Sequence, residues 1–279
     1  MTRPTAPGLD AILGQPFPVL DHGFIRVVDY MGNDEAIEQS ARVSYGEGTR
    51  ATSETRGLLR YLMRHRHTTP FEMCEIKVHV RLPIFVARQW IRHRTGSFNE
   101  YSARYSEMKD EFYIPRAEDL ATQSTANKQG RGEPLSAGDA ARVLEILQED
   151  SHRSHLGYQK MMGTYGLSRE LARLNLTLNT YTEWYWKTDL HNLFHFLGLR
   201  ADPHAQKEIR QYANLMHDFA EIWCPLATEA WREYRLNAVT LSASAVAVIK
   251  RRIAGETVTR DGSGMDAREW REFVGEFGG

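Results

Sequence analysis

Cys74-Glu75-Ile76-Lys77-Val78-His79-Val80-Arg81-Leu82 alternates apolar and polar residues without a break, and Pro83 follows directly. Successive side chains of a strand point to opposite faces. The pattern therefore predicts a half-buried antiparallel strand, with Cys74, Ile76, Val78, Val80 and Leu82 facing the core. Proline is tolerated at the first helical position, so a helix is expected to open at Pro83. It should end near Arg94, where Gly96 supports a stop.

Outward from this stretch, residues 24–30 read as a second strand. Residues 34–44 read as a helix begun at Asn33. Residues 53–65 form another helix, with Leu58, Leu59, Leu62 and Met63 inward. The polar segment 117–138 reads as an exposed, loosely ordered loop. Ser136-x-x-Asp139 is a capping-box-like start to a long helix reaching about Met162. Ser168 is expected to cap a helix through Leu178. The aromatic stretch 181–186 suits a strand, and 189–197 a helix. A further helix is expected from Asp202-Pro203. Its Ala205, Ile209, Tyr212, Met216, Phe219 and Trp223 form a helix-packing seam, and Pro225 stops it. Beyond 239 the expectation is one helix and a loose tail. Strands mixed with long helices, without a βαβ rhythm, argue for an α+β fold with a central antiparallel sheet flanked by long helices. No G-x-G-x-x-G occurs, so any dinucleotide is not held Rossmann-style.

The chain has 279 residues, is 42% hydrophobic and 25% charged, and carries a formal net charge of −1. That is ordinary for a globular protein, and no global field draws it to nucleic acid or membrane. No segment approaches the ~18 apolar residues of a spanning helix, and the N-terminus lacks the apolar core of a signal peptide. Two cysteines, Cys74 and Cys224, make no disulfide framework. The length allows one or two domains, and these features predict a cytoplasmic location.

The chemistry concentrates in Arg92-His93-Arg94-Thr95-Gly96-Ser97-Phe98-Asn99-Glu100-Tyr101-Ser102-Ala103-Arg104. Three arginines and no lysine favour forked capture of phosphate or carboxylate. Serine and asparagine add short directed bonds. A single arginine here would also serve a surface ion pair; the joint pattern reads as a pocket wall for an anionic, many-edged ligand. Gln89 and Arg92 should share a helix face. Ser102 and Arg104, two apart on an extended loop, should point into one cleft. Arg200 should lie just before a helix start that favours anions.

This stretch, R-H-R-x-x-S-x-N-E-x-S-x-R, resembles the signature of the flavin-dependent thymidylate synthases, the ThyX family. Ala41-Arg42-Val43-Ser44-Tyr45, His67-Thr68-Thr69-Pro70-Phe71-Glu72 and Leu199-Arg200-Ala201-Asp202-Pro203-His204-Ala205-Gln206 resemble its other motifs, in the same order. The resemblance covers roughly 24–237, which implies a single domain over 1–279 with its core there and a C-terminal extension at about 240–279. It implies a ThyX-like fold and a homotetramer with active sites shared between subunits. It implies reductive methylation of dUMP to dTMP. Methylenetetrahydrofolate supplies the carbon, and FAD, reduced by NADPH, delivers the hydride. The resemblance places Gln89, Arg92, Glu100, Tyr101, Ser102, Ala103, Arg104, Arg173 and Arg200 around dUMP. The resemblance makes Arg200 the catalytic residue, stabilising charge that builds on the ring. It places Ser44, His67, Thr69, Glu72, Arg92, His93, Arg94, Asn99, Glu100, Asp189, His191 and His195 near FAD. Met73, Asp189, His191 and His195 depart from the commoner family pattern. Asp189, an acidic neighbour, would tune the flavin potential.

Neither cysteine has a cationic run beside it, so both read as buried structural residues rather than nucleophiles. Ser102 lacks a nucleophile elbow. A metal hydrolase is one rival, since His191 and His195 have a ligand spacing; but Asn192 replaces the glutamate of H-E-x-x-H and no metal is expected. A nucleic-acid module is another, built on Arg60, Arg64, His65, Arg66 and His67 with the cluster at 88–104, but the overall charge and the lack of a lysine-rich face argue against it.

Overall fold

A computed structural model describes residues 3–43, 54–125 and 130–278. The chain divides into two compact units, 1–234 and 235–279. The first opens with α1 (Pro7–Asp10), β1 (Pro16–Val19), β2 (Gly23–Met31), α2 (Asp34–Arg42), α3 (Thr55–Arg64) and α4 (Thr69–Glu72). Then come β3 (Glu75–Pro83), α5 (Ile84–Trp90) and β4 (Ser97–Glu100), followed by β5 (Ala121–Gln123), β6 (Arg131–Pro134), α6 (Ala137–Gly163) and α7 (Arg169–Ala172). It closes with β7 (Tyr181–Asp189), α8 (Leu190–Arg200), α9 (Lys207–Trp223) and α10 (Pro225–Trp231).

The alternating stretch is β3, the centre of a five-stranded sheet in the order β1-β2-β3-β7-β4, antiparallel throughout. Cys74, Ile76, Val78, Val80 and Leu82 are fully buried. The resulting architecture is the expected mixture of a central antiparallel sheet and flanking helices. Trp90 joins the layers. It stacks on Phe196 of α8 at 4.6 Å and meets Trp184 and Trp186 of β7 edge-on, and Tyr212 of α9 packs against it at 6.1 Å. A large aromatic at that junction anchors the chain immediately before the arginine cluster.

Several local expectations are corrected. Pro83 ends β3 and serves as the N-cap of α5, because Pro83 still pairs with Tyr181. That helix ends at Trp90, short of Arg94. Gly96 is a glycine because the backbone passes close to β7: an added Cβ would sit 2.8 Å from Trp186 Nε1 and 2.9 Å from the Lys187 carbonyl. The following residues pair with β7 as β4, from Ser97↔Lys187 to Glu100↔Trp184. The described residues of 117–138 are largely exposed but not irregular, since β5 and β6 pair antiparallel there. The helix expected over 168–178 is only α7 and a 3₁₀ turn, Arg173–Asn175; Ser168 makes no side-chain cap, and Leu171, Leu174 and Leu178 find no core to face. The helix expected from Asp202-Pro203 starts at Lys207, and Pro225 opens α10 rather than only ending α9. Pro16–Val19 is an unexpected edge strand.

Other signals hold. Asn33 caps α2 by accepting from Ala36 N at 3.1 Å, and Ser136 caps α6 by accepting from Asp139 N at 3.1 Å. Both cysteines are buried, and burial pushes the Cys224 thiol well above its ordinary value.

The second unit contains α11 (Ala243–Ile253) and α12 (Ala267–Phe277). It is no loose tail: Ala245, Val248, Val258, Met265 and Phe273 form its own small core. No helix among the described residues is long and apolar enough to cross a membrane.

Candidate active site

The arginine-rich stretch does not form one wall. β4 carries it along the sheet edge, so its two ends are separated by four strand residues, a rise of about 13 Å. Gln89, Arg92, His93 and Arg94 lie before β4, and Tyr101 to Arg104 lie after it.

Two of the first group, His93 and Gln89, converge on Arg200, the last residue of α8. Arg200 Nε donates to His93 Nε2 at 3.0 Å, and Arg200 Nη2 donates to the Gln89 carbonyl at 3.3 Å. His93 is 9% exposed, and its ring packs edge-on against Phe196 and His195. Burial, then the Arg200 and His195 charges, pull its pKa down to about 4. A neutral ring accepting at Nε2 must carry its proton on Nδ1. That Nδ1 is buried with no partner among the described residues. Burial also lowers the Arg200 pKa. Arg200 thus ends a helix rather than preceding one, and it is held by the His93 ring and the Gln89 backbone carbonyl. Gln89 is in α5 while Arg92 lies in the turn beyond it, so the shared helix face is replaced by a turn held by the His93 N–H to Trp90 O bond of 3.0 Å. Arg92 and Arg94 are exposed.

The second group is a turn and not an extended loop. Tyr105 N and Ser106 N both donate to the Ser102 carbonyl, and Ser102 Oγ accepts from Arg104 N at 3.3 Å. Arg104 forms an ion pair with Glu170 of α7 at 2.8 Å, with both side chains about half exposed. Ala103 is buried against Met108, Tyr158 and Ala172, which places Arg173 on the same flank. Glu100 accepts from Thr182 Oγ1 at 2.7 Å. Tyr101 N donates to the Glu183 carbonyl at 2.8 Å, and its hydroxyl donates to the Glu107 carbonyl. Among the described residues no hydrogen bond or ion pair joins this group to Arg200.

The remaining expected residues lie at α4, on β4 and on α8. Thr69 and Glu72 lie on α4, which packs against α8, and His67 stacks on Tyr61. Asn99 is exposed on β4, opposite Tyr185. His191 and His195 lie one turn apart on α8. Asp189 is the α8 N-cap, accepting from Asn192 N at 2.9 Å and Asn192 Nδ2 at 2.7 Å. Its carboxylate therefore serves the helix. Ser44 lies outside the described residues. No three of His, Cys, Asp and Glu gather to hold a metal among the described residues.

A family model described as "Thymidylate synthase complementing protein" matches residues 26–226. The chain belongs to this family. A flavin-dependent thymidylate synthase of Gluconobacter oxydans is 59% identical over 280 aligned residues, covering 100% of this chain and 92% of the relative. The corresponding protein of Ruegeria pomeroyi is 60% identical over 99% of this chain and 92% of its own length. Among solved structures, the UMP/dUMP methylase PolB of Streptomyces cacaoi, bound with 5-Br dUMP, superposes with a TM-score of 0.69. It is 35% identical, over 78% of this chain and 98% of its own.

Within the span matched by the thymidylate synthase complementing family, three participants escaped the sequence reading. Glu170 and Thr182 hold Arg104 and Glu100, and no local pattern marks them. Gln206 closes a motif that was recognised, yet its role depends on Gln89, 117 residues earlier.

Proposed function

We propose that the chain is a flavin-dependent thymidylate synthase that methylates dUMP at C5 to give dTMP. The observation that carries this reading is the fixed guanidinium of Arg200, held at Nε by neutral His93 and at Nη2 by the Gln89 carbonyl. Its Nη1 has no partner among the described residues and is available to the pyrimidine edge. The methylene carbon of methylenetetrahydrofolate bonds to C5 as its bonds to the two folate nitrogens break, tetrahydrofolate leaves, and the C5 proton is lost. Negative charge on the ring during that step is stabilised by Arg200, a contribution of about 3 kcal/mol. No thiolate takes part, since Cys74 and Cys224 are both buried.

Bound FAD supplies the hydride that completes the methyl group, drawn from NADPH. The residues present fit such a group. His93 Nδ1 is an unsatisfied buried donor, a state that costs about 1–3 kcal/mol until an acceptor arrives. Around it we assign His67, Thr69, Glu72, Arg92, Arg94, Asn99, Glu100, His191 and His195 to the flavin. Asp189, the α8 cap, is assigned there as well.

Gln89, Arg92 and Arg200 form one wall of the dUMP site. Glu100, Tyr101, Ser102, Ala103, Arg104 and Arg173 form another, contributed by a second copy in a homotetramer. The long helix α6 supports this assembly. It leaves Ile146 and Leu156 exposed, and Leu171, Leu174 and Leu178 nearby are also exposed, an apolar surface that favours association. The cytoplasm, where dUMP and folate occur, is the expected location.

The test is the visible spectrum of the purified protein after incubation with FAD and desalting, followed by turnover with NADPH and methylenetetrahydrofolate. Retained flavin absorbance that shifts with dUMP, together with dTMP formation, is the expected result. A colourless protein indifferent to dUMP would remove the reading.

A further inference from the structure

Glu208 is a buried carboxylate, 2% exposed, in the first turn of α9. One oxygen accepts from Arg131 Nη2 at 2.6 Å and from the Tyr113 hydroxyl at 3.1 Å. The other accepts from Gln206 Nε2 at 2.9 Å. Gln206 Oε1 in turn accepts from Gln89 Nε2. A carboxylate paired with arginine accepts hydrogen bonds and donates none. Gln206 must therefore turn its NH₂ toward Glu208, which leaves its carbonyl oxygen facing Gln89. Gln89 must then turn its own NH₂ toward Gln206. The consequence is that Gln89 Oε1 is left as an acceptor with no partner among the described residues, on the residue whose backbone carbonyl holds Arg200.

We propose that Glu208 is a positioning residue that sets the polarity of this amide relay, so that Gln89 presents an acceptor to a hydrogen-bond donor of the nucleotide. The inference rests on dUMP being the ligand. The donor is either the ribose hydroxyl or the pyrimidine N3–H. Without the carboxylate, both glutamines flip freely and Gln89 presents donor or acceptor in turn. Arg131 is on β6, so the β5–β6 pair also serves the site, by neutralising the carboxylate that orders it.

The test is a double-mutant cycle read by dUMP affinity of the FAD-loaded protein, with wild type titrated first. Wild type that ignores dUMP would dispose of the functional reading and not of the relay. If wild type binds, Glu208→Gln should weaken dUMP about tenfold, and less than twofold in a Gln89→Ala background. Equal losses in both backgrounds, or no loss in either, would overturn the relay. Should Glu208→Gln fail to fold, Gln206→Met at the exposed middle of the relay should give the same coupled loss. Two analogues locate the donor: 2′,3′-dideoxyuridine 5′-phosphate lacks the hydroxyl, and 3-methyl-dUMP lacks the N3–H. The analogue missing the donor that Gln89 reads should bind wild type and Gln206→Met alike. If both analogues keep the full sensitivity to Gln206→Met, the proposal fails.

Discussion

His93 is small in the sequence and central in the site. Burial and the Arg200 charge keep it neutral, with its pKa pulled down to about 4 from 6.5. The fold prefers the neutral ring, so this stability is complete above pH 6.5 and is lost as pH falls from there through about 4. Urea unfolding of wild type should therefore lose about 1–3 kcal/mol across that window relative to a His93→Asn variant, whose amide does not titrate. Parallel profiles would mean that His93 is as easily protonated folded as unfolded. The residue was legible as part of R-H-R, but its neutrality was not. That depends on Phe196, His195 and Arg200, all about a hundred residues away in the chain.

Elements place the residues. β4 was invisible to periodicity because four residues with polar edges carry too little pattern; its existence depends on β7 offering a free edge. Gly96 makes that approach possible. Gly96→Ala should push the backbone off Trp186 and Lys187, costing about 1–3 kcal/mol. Flavin retention after desalting should fall with it, because the turn holding His93 and the strand bearing Asn99 shift together. A thermally unchanged Gly96→Ala protein would sink that account. Asp189, expected to tune the flavin as an acidic neighbour, also caps α8, its oxygens both bonding Asn192. Asp189→Ala should cost about 1 kcal/mol as a lost cap, and Asp189→Asn much less. Thermal unfolding of the pair separates a cap from a surface charge, for which both variants would behave alike.

Across the whole molecule, the two halves of the signature stretch face different surroundings. If two copies complete each site, Arg104→Ala and Arg200→Ala proteins should each lose at least about a hundredfold in dTMP formation. Mixed subunits of the two should regain roughly a quarter of wild-type activity, because one site in four then draws both walls from intact copies. Mixtures no more active than either parent would place both arginines in sites built within one chain. The second unit was misread as a tail because its apolar residues are sparse. Val258 and Met265 come from loop segments, and only folding brings them onto α11 and α12.

The sequence by itself determined the elements with strong local codes. The alternation of β3, the caps at Asn33 and Ser136, the buried cysteines and the family signature all act over a few residues, where side-chain period and backbone satisfaction leave one answer. Only the tertiary structure decided what those residues do together. It ended α5 at Trp90, made a strand of Ser97–Glu100 and joined Gln89 to Gln206 and Glu208. Each of these depends on a partner far away in the chain, and a contact over a hundred residues leaves no period to read.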